Sequence, residues 1–142
     1  MKENTIIVTQ QPCPKCGKLN RFKMSQNVNC ESDKIMAIHT LNGDIFFYRC
    51  DSCSFRTYIA YPVIYRNLKK RVYILYSYDK AWLYQQRENF KKMKADPKNK
   101  QLFKGMKLHT HCDLENFMDK VAYYEDDLPF DSLIDYDKWI ES

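Results

Sequence analysis

The chain has 142 residues, 44% hydrophobic and 15% aromatic, so it carries enough apolar surface for one core and is not a globally disordered polymer. Only 3 Gly and 5 Pro are present, which excludes a long flexible linker or low-complexity tract. The net charge of +5 divides unevenly, with 21 Lys and Arg against 8 Asp and Glu in residues 1–112, and 2 against 10 in residues 113–142. A basic body with an acidic tail fits either nucleic-acid contact or a tail docked on the body. Leu114, Phe117, Val121, Leu133, Ile134 and Trp139 give that tail apolar groups and favour docking.

In chain order, "MKENTIIVTQQ" holds a short strand, TIIV. Its apolar run is too short for a signal-peptide core of ~7–15 residues, and no run in the chain approaches the ~20 residues of a membrane helix. A reducing cytoplasm is therefore the expected compartment. "RFKMSQNV" sets Phe22, Met24 and Val28 at even spacing, the pattern of a half-buried strand. "SDKIMAIHTLNG" reads as a short helix capped by Ser32 and stopped by Asn42-Gly43. "DIFFYRC" reads as a strand.

"FRTYIAYPVIY" and "RVYILYSY" read as two further strands joined by the polar turn RNLKK. Pro62 cannot donate to a ladder and implies an edge or a bulge. "AWLYQQRENFKKMKAD" is a helix ending before Pro97, and "KNKQLFKG" is a basic loop. "MKLHT" is a short strand with Met106, Leu108 and Thr110 on one face. "DLENFMDKVAYYED" carries Leu114, Phe117, Met118, Val121 and Tyr124 on a helical stripe. Pro129 interrupts it, and "FDSLIDYDKWI" reads as a last helix capped by Asp131 or Ser132. Strands and helices without regular βαβ alternation predict an α+β fold with an antiparallel sheet.

The cysteines carry the chemistry. Cys13 and Cys16 in "CPKCG", and Cys50 and Cys53 in "CDSCS", form two C-x2-C pairs separated by 33 residues. Thiolates are soft ligands, and four in a tetrahedron suit Zn²⁺ at ~2.3 Å. Pro14 stiffens the first turn, and Gly17 can take the positive φ that lets backbone N–H groups point at sulfur. Asp51 and Ser54 stand at the corresponding positions of the second turn. A positive φ would strain Ser54, so the second turn is expected to be looser. Four thiolates and one dication sum to a charge of −2, which Lys15, Lys18, Arg49 and Arg56 offset. A redox dithiol is the competing reading, but it needs no second pair. Iron in the same four-thiolate site is an alternative to zinc.

These residues carry a resemblance. "CPKCG", "VNCESDKIMAIHTLNGDIFFYRCDSC" and "YIAYPVIYRNLKKRVYILY" resemble the CpXC domain family, and Pro62 to Tyr65 match its Pro-x-x-Tyr stretch. "LHTHCDLENFMDKVAYYEDDLPFDSLIDY" is similar to the family's C-terminal strand and helices. The resemblance implies a bacterial or archaeal zinc-ribbon-type domain with Cys13, Cys16, Cys50 and Cys53 on the family's four cysteines. It names no activity. The domain expected is a single one over 1–142, with a zinc ribbon and β-hairpin core in 1–80. Residues 81–142 are expected to be helical, basic and then acidic, giving two or three helices packed on the sheet.

Other candidates are weaker. His109 and His111 share a strand face and offer a second metal site, but no further ligand accompanies them. They read more simply as a polar face followed by Cys112 as a core thiol. His39 reads as structural and Cys30 as a small buried hydrophobe. Arg87, Lys91 and Lys94 line one helix edge within a basic tract that also holds Lys92, Lys98, Lys100, Lys104 and Lys107. That tract is either a phosphate-contacting surface or a solvated face. Tyr58, Tyr61, Tyr65, Tyr73, Tyr76 and Tyr78 read as core rings more than as an interface. The expectation is a non-enzymatic module with one structural Zn²⁺ that binds a protein partner. The alternatives are a nucleic-acid-binding zinc ribbon using Lys91–Lys107 and, less favoured, a thiol-redox enzyme.

Overall fold

In the computed structural model, residues 5–30 and 34–126 are described. The main sheet has five strands in the order β1-β2-β5-β6-β7: β1 Thr5–Pro12, β2 Leu19–Asn29, β5 Val63–Asn67, β6 Val72–Tyr76 and β7 Lys107–His111. A second sheet pairs β3, Phe47–Arg49, with β4, Arg56–Tyr58. The helices are α1 Lys34–Leu41, α2 Lys80–Ala95, α3 Lys100–Phe103 and α4 Leu114–Tyr124. The fold is α+β.

The sheet is mixed, where a wholly antiparallel one was expected. β1–β2 and β5–β6 are antiparallel hairpins, but β2–β5 and β6–β7 pair in parallel. Parallel neighbours need a crossover of about a dozen residues or more. Two segments supply it: α1 with the small sheet between β2 and β5, and α2 with α3 between β6 and β7.

The sheet is covered on both faces. Val63 and Tyr65 of β5, with Val72, Ile74 and Tyr76 of β6, alternate into one core together with Phe22, Val28, Ile45, Phe46, Phe117 and Val121. Ring packing ties the layers, with Phe46 against Tyr61 at 5.0 Å, Tyr76 at 5.7 Å and Phe117 at 6.3 Å. Tyr73 points the other way, to a second cluster of Phe90, Phe103 and Met106 under α2.

Local chemistry explains the boundaries. Asp79 caps α2 by accepting from the Ala81 and Trp82 N–H groups at 3.0 and 3.3 Å, and Asp113 caps α4 through the Asn116 N–H at 3.0 Å. Gly43 follows α1 at φ 78°, a conformation that strains any other residue, and a Cβ there would stand 3.1 Å from the Tyr58 ring. The expected Ser32 cap and the last helix, with Asp131 or Ser132 as its cap, lie outside the described residues.

Three expected elements differ. In "DIFFYRC", Asp44–Phe46 form a 3₁₀ turn before the short strand β3. Pro62 marks neither an edge nor a bulge, since it sits in the connection where the chain leaves β4 in one sheet for β5 in the other. The basic loop is largely helical, with a 3₁₀ turn Pro97–Asn99 running into α3. Arg71 fixes it, donating to the carbonyls of Gln101, Leu102 and Lys104 at 3.3, 3.2 and 2.8 Å.

Candidate metal centre

The two cysteine pairs sit on the loops of two hairpins. The first closes β1–β2 and the second closes β3–β4. The loops are built alike. In the first, the Cys13 N–H donates to the Lys18 carbonyl at 2.8 Å and the Gly17 N–H to the Cys13 carbonyl at 2.9 Å. In the second, the Cys50 N–H donates to the Phe55 carbonyl at 2.9 Å and the Ser54 N–H to the Cys50 carbonyl at 3.2 Å. Gly17 stands at φ 80° and Ser54 at φ 64°. Each turn also aims a backbone N–H at its first sulfur: Lys15 to Cys13 Sγ and Ser52 to Cys50 Sγ, both at 3.4 Å.

The hairpins bring the loops face to face. All four sulfurs lie within 4.8 Å of one another, with Cys13 Sγ 3.6 Å from Cys53 Sγ and Cys16 Sγ 3.6 Å from Cys50 Sγ. A tetrahedron with metal–sulfur bonds of ~2.3 Å has sulfur–sulfur edges of ~3.8 Å. A disulfide needs about 2.05 Å. The constellation therefore has the dimensions of a four-thiolate metal site. It is the single group of this kind among the described residues.

Electrostatics favour the same use. Hydrogen bonds from the Cys53 and Ser52 N–H groups bring the Cys50 thiol down to about 6, against the cost of burial. Burial raises the Cys13 thiol, but the Cys16 and Lys15 N–H groups outweigh it and leave it lowered. At Cys53 the Phe55 N–H favours the thiolate, yet burial and the three neighbouring sulfurs push it up to about 12. Like charges in one pocket cannot all ionise unaided. A dication held by the four sulfurs would supply the missing charge and favour the thiolate form of each. Lys18 and Asp51 pair across the two loops at 2.8 Å, so Asp51 draws on Lys18 for a local contact at a solvent-screened position.

Two residues that sequence reasoning missed lock the loops together. The Asn20 amide donates to the Lys18 carbonyl at 3.1 Å and to the Tyr48 hydroxyl at 2.9 Å, and its oxygen accepts the Asp51 N–H at 3.2 Å. The Tyr48 hydroxyl donates to the Gln11 carbonyl at 2.9 Å. Asn20 thus holds the exit of the first loop and the start of the second. Its sequence signal was a polar residue at even spacing with Phe22, Met24 and Val28 on a half-buried strand.

The other candidates are placed as follows. His109 bonds through Nε2 to the Tyr124 hydroxyl at 2.9 Å, and among the described residues it belongs to no group of metal-ligand side chains. Burial lowers both His109 and His111. Cys112 is exposed, which corrects the expected core thiol, because it follows the last residue of β7. His39 is buried and structural, with Nδ1 2.7 Å from Asp44 Oδ2. Cys30 is buried in the main core, and its thiol also joins a polar network. It donates to Glu125 Oε1 at 3.2 Å, which also accepts from Tyr65 at 2.9 Å and Asn67 at 2.8 Å. Glu125 was missed as well, although it falls one turn after Val121 on the apolar stripe of α4. Tyr61, Tyr65 and Tyr76 are core rings, while Tyr58 and Tyr78 are exposed.

The CpXC family model, described as CpXC protein, matches residues 12–135 of the 142-residue chain. The chain belongs to the CpXC family. The match spans both hairpin loops, so Cys13, Cys16, Cys50 and Cys53 all fall within it. No curated protein and no solved structure gives a significant match. Among the described residues, no helix is long and apolar enough to cross a membrane.

Proposed function

We propose that this CpXC protein is a non-enzymatic interaction module built on one structural Zn²⁺ and working on a protein partner in a reducing cytoplasm. The observation that carries the metal is the set of four sulfurs from two like-built hairpin loops, spaced as the corners of a tetrahedron. Two facing cysteine hairpins make a zinc ribbon. In that reading Cys13, Cys16, Cys50 and Cys53 are all ligands. A closed four-thiolate site keeps no open position for water, so the metal does no chemistry and instead joins the β1–β2 and β3–β4 loops.

Metal loss then loosens the half of the chain that these loops organise. The non-enzymatic reading agrees with the remaining polar clusters among the described residues. His39 with Asp44, and Cys30 with Glu125, are buried and spent on internal hydrogen bonds. The test is affinity capture with untagged, metal-loaded protein competing against a tagged bait. A defined protein displaced in proportion supports the module, and turnover of a substrate with retention of no partner overturns it.

One observation favours a second reading, a nucleic-acid-binding ribbon. Lys91, Lys92, Lys94, Lys98, Lys100, Lys104 and Lys107 are all exposed. Binding to a single-stranded oligonucleotide that falls steeply with salt supports it, and no binding at low salt removes it.

A further inference from the structure

One surface away from the cysteines combines a strand edge, an apolar floor and a basic rim. Strand β7 lies at the end of the main sheet, and among the described residues its ladder runs to β6 alone. Its outer side therefore offers main-chain donors and acceptors to another strand. Beside it runs α2. The space between them is a groove of about 430 Å³ lined by Arg87, Phe90, Lys91, Lys94, Ala95 and Leu108. Phe90 and Leu108 make the floor.

Side chains alternate along β7. Leu108 and Thr110 face α2, and Arg87 fixes Thr110 with a 2.6 Å bond to its hydroxyl. His109 faces α4 through Tyr124. Two of the rim cations, Lys91 and Lys94, are exposed and held weakly. Lys91 reaches Glu88 and Lys94 reaches the Met106 carbonyl, each at 3.4 Å. Contacts of that length in solvent are replaced by an incoming carboxylate at little cost.

We infer that this groove binds an extended acidic peptide of a partner protein, added as a strand along β7 beside α2. Carboxylates of the peptide meet Arg87, Lys91 and Lys94, and an apolar side chain between them sits over Phe90 and Leu108. The inference rests on the partner-binding reading above and names the surface and the chemistry of the partner's segment. Charge complementarity selects an acidic segment. The strand edge selects an extended one, because alternate side chains then point into the groove while the main chain completes a ladder. Nucleic acid fits less well, since stacking needs exposed aromatic faces. Phe90 is buried, with its ring packed on Tyr73 at 5.4 Å and Phe103 at 5.5 Å.

The test is fluorescence anisotropy with the full metal-loaded chain and a short labelled peptide of the pattern Glu-Thr-Val-Thr-Glu, which sets both carboxylates and the valine on one face of an extended strand. Saturable binding is expected. It should weaken by about tenfold or more in the Lys91→Glu/Lys94→Glu variant. It should be unchanged in Lys100→Glu and lost when Gln replaces Glu in the peptide or when alternate peptide nitrogens are methylated. Should the double variant melt early by circular dichroism, Arg87→Ala serves in its place.

Four results overturn the inference. The first is no saturable binding, and the second is equal binding of the methylated peptide. The third is displacement of the peptide by oligothymidylate at lower concentration than by unlabelled peptide. The fourth is binding that appears only after the acids of residues 127–142 are changed to amides, which would assign the groove to the chain's own segment. A partner captured equally by the unaltered chain and by Lys91→Glu/Lys94→Glu sinks the groove alone, whereas capture of none by either sinks the partner-binding reading.

Discussion

Ser54 stands at φ 64° at the place in the second cysteine loop that Gly17 occupies at φ 80° in the first. Both backbones are left-handed, and both N–H groups return to the carbonyl of the loop's first cysteine. The left-handed region costs a non-glycine residue about 1–2 kcal/mol. Part of that is recovered because serine loses less backbone entropy on folding than glycine. Ser54→Gly is therefore expected to stabilise the metal-loaded protein by about 0.5–1 kcal/mol, raising Tm by about 2–4 °C. Gly17→Ala should cost about 1–2 kcal/mol. Its cost is conformational, since a Cβ there meets nothing within 4 Å. Paired thermal melts of the two variants check both signs.

Asn20 bridges the two loops through Tyr48 and the Asp51 N–H. Its removal leaves the buried Tyr48 hydroxyl without its donor. Asn20→Ala is expected to cost about 1–3 kcal/mol in chemical denaturation. It should also speed metal release to a chelator, because the loops lose their common tie. A variant with unchanged release kinetics would show that the ligands alone hold the loops.

How far the sequence reaches is visible in these residues. The two C-x2-C pairs, the α2 and α4 helices, the Gly43 stop and the strands around Val63–Tyr76 follow from local spacing, capping and β-branched runs. The network of Cys30, Tyr65, Asn67 and Glu125 does not. Cys30 and Glu125 are 95 residues apart, and no local pattern couples them. The parallel pairings escaped for the same reason. Hairpin signals are local, while β2–β5 depends on a crossover through α1 and a separate small sheet. Pro62 was read as a defect within one strand because the change of sheet at that point leaves no mark in composition.

That network makes a chemical prediction. Burial, offset in part by Tyr65 and reinforced by the Glu125 charge, pushes the Cys30 thiol up to about 12. At pH 8 Cys30 should resist iodoacetamide in the native chain, while exposed Cys112 reacts. Peptide mass spectrometry of the alkylated protein reads both. Glu125→Ala should destabilise by about 3 kcal/mol or more, since it strips the shared acceptor from three buried donors. In that variant Cys30 should become reactive.

His109 and His111 carry a pH dependence. Burial, then the Lys120 charge, lowers both below the ordinary 6.5. The unfolded chain then binds protons before the folded one as pH falls. Their contribution to stability is full above the ordinary 6.5, falls as pH drops toward the folded values and is level below them. Denaturation midpoints between pH 8 and 5 should show this decline, reduced in the His109→Gln/His111→Gln variant. A decline of the same size in that variant would place its source elsewhere.

The central claim is the metal centre, and elemental mass spectrometry of untagged protein, run beside a thiol count, tests it most directly. One zinc per chain is predicted, lost when Cys13 and Cys50 are changed to Ser. A metal-free chain whose Cys13, Cys16, Cys50 and Cys53 are found in disulfides would contradict the account and make the loops a redox device.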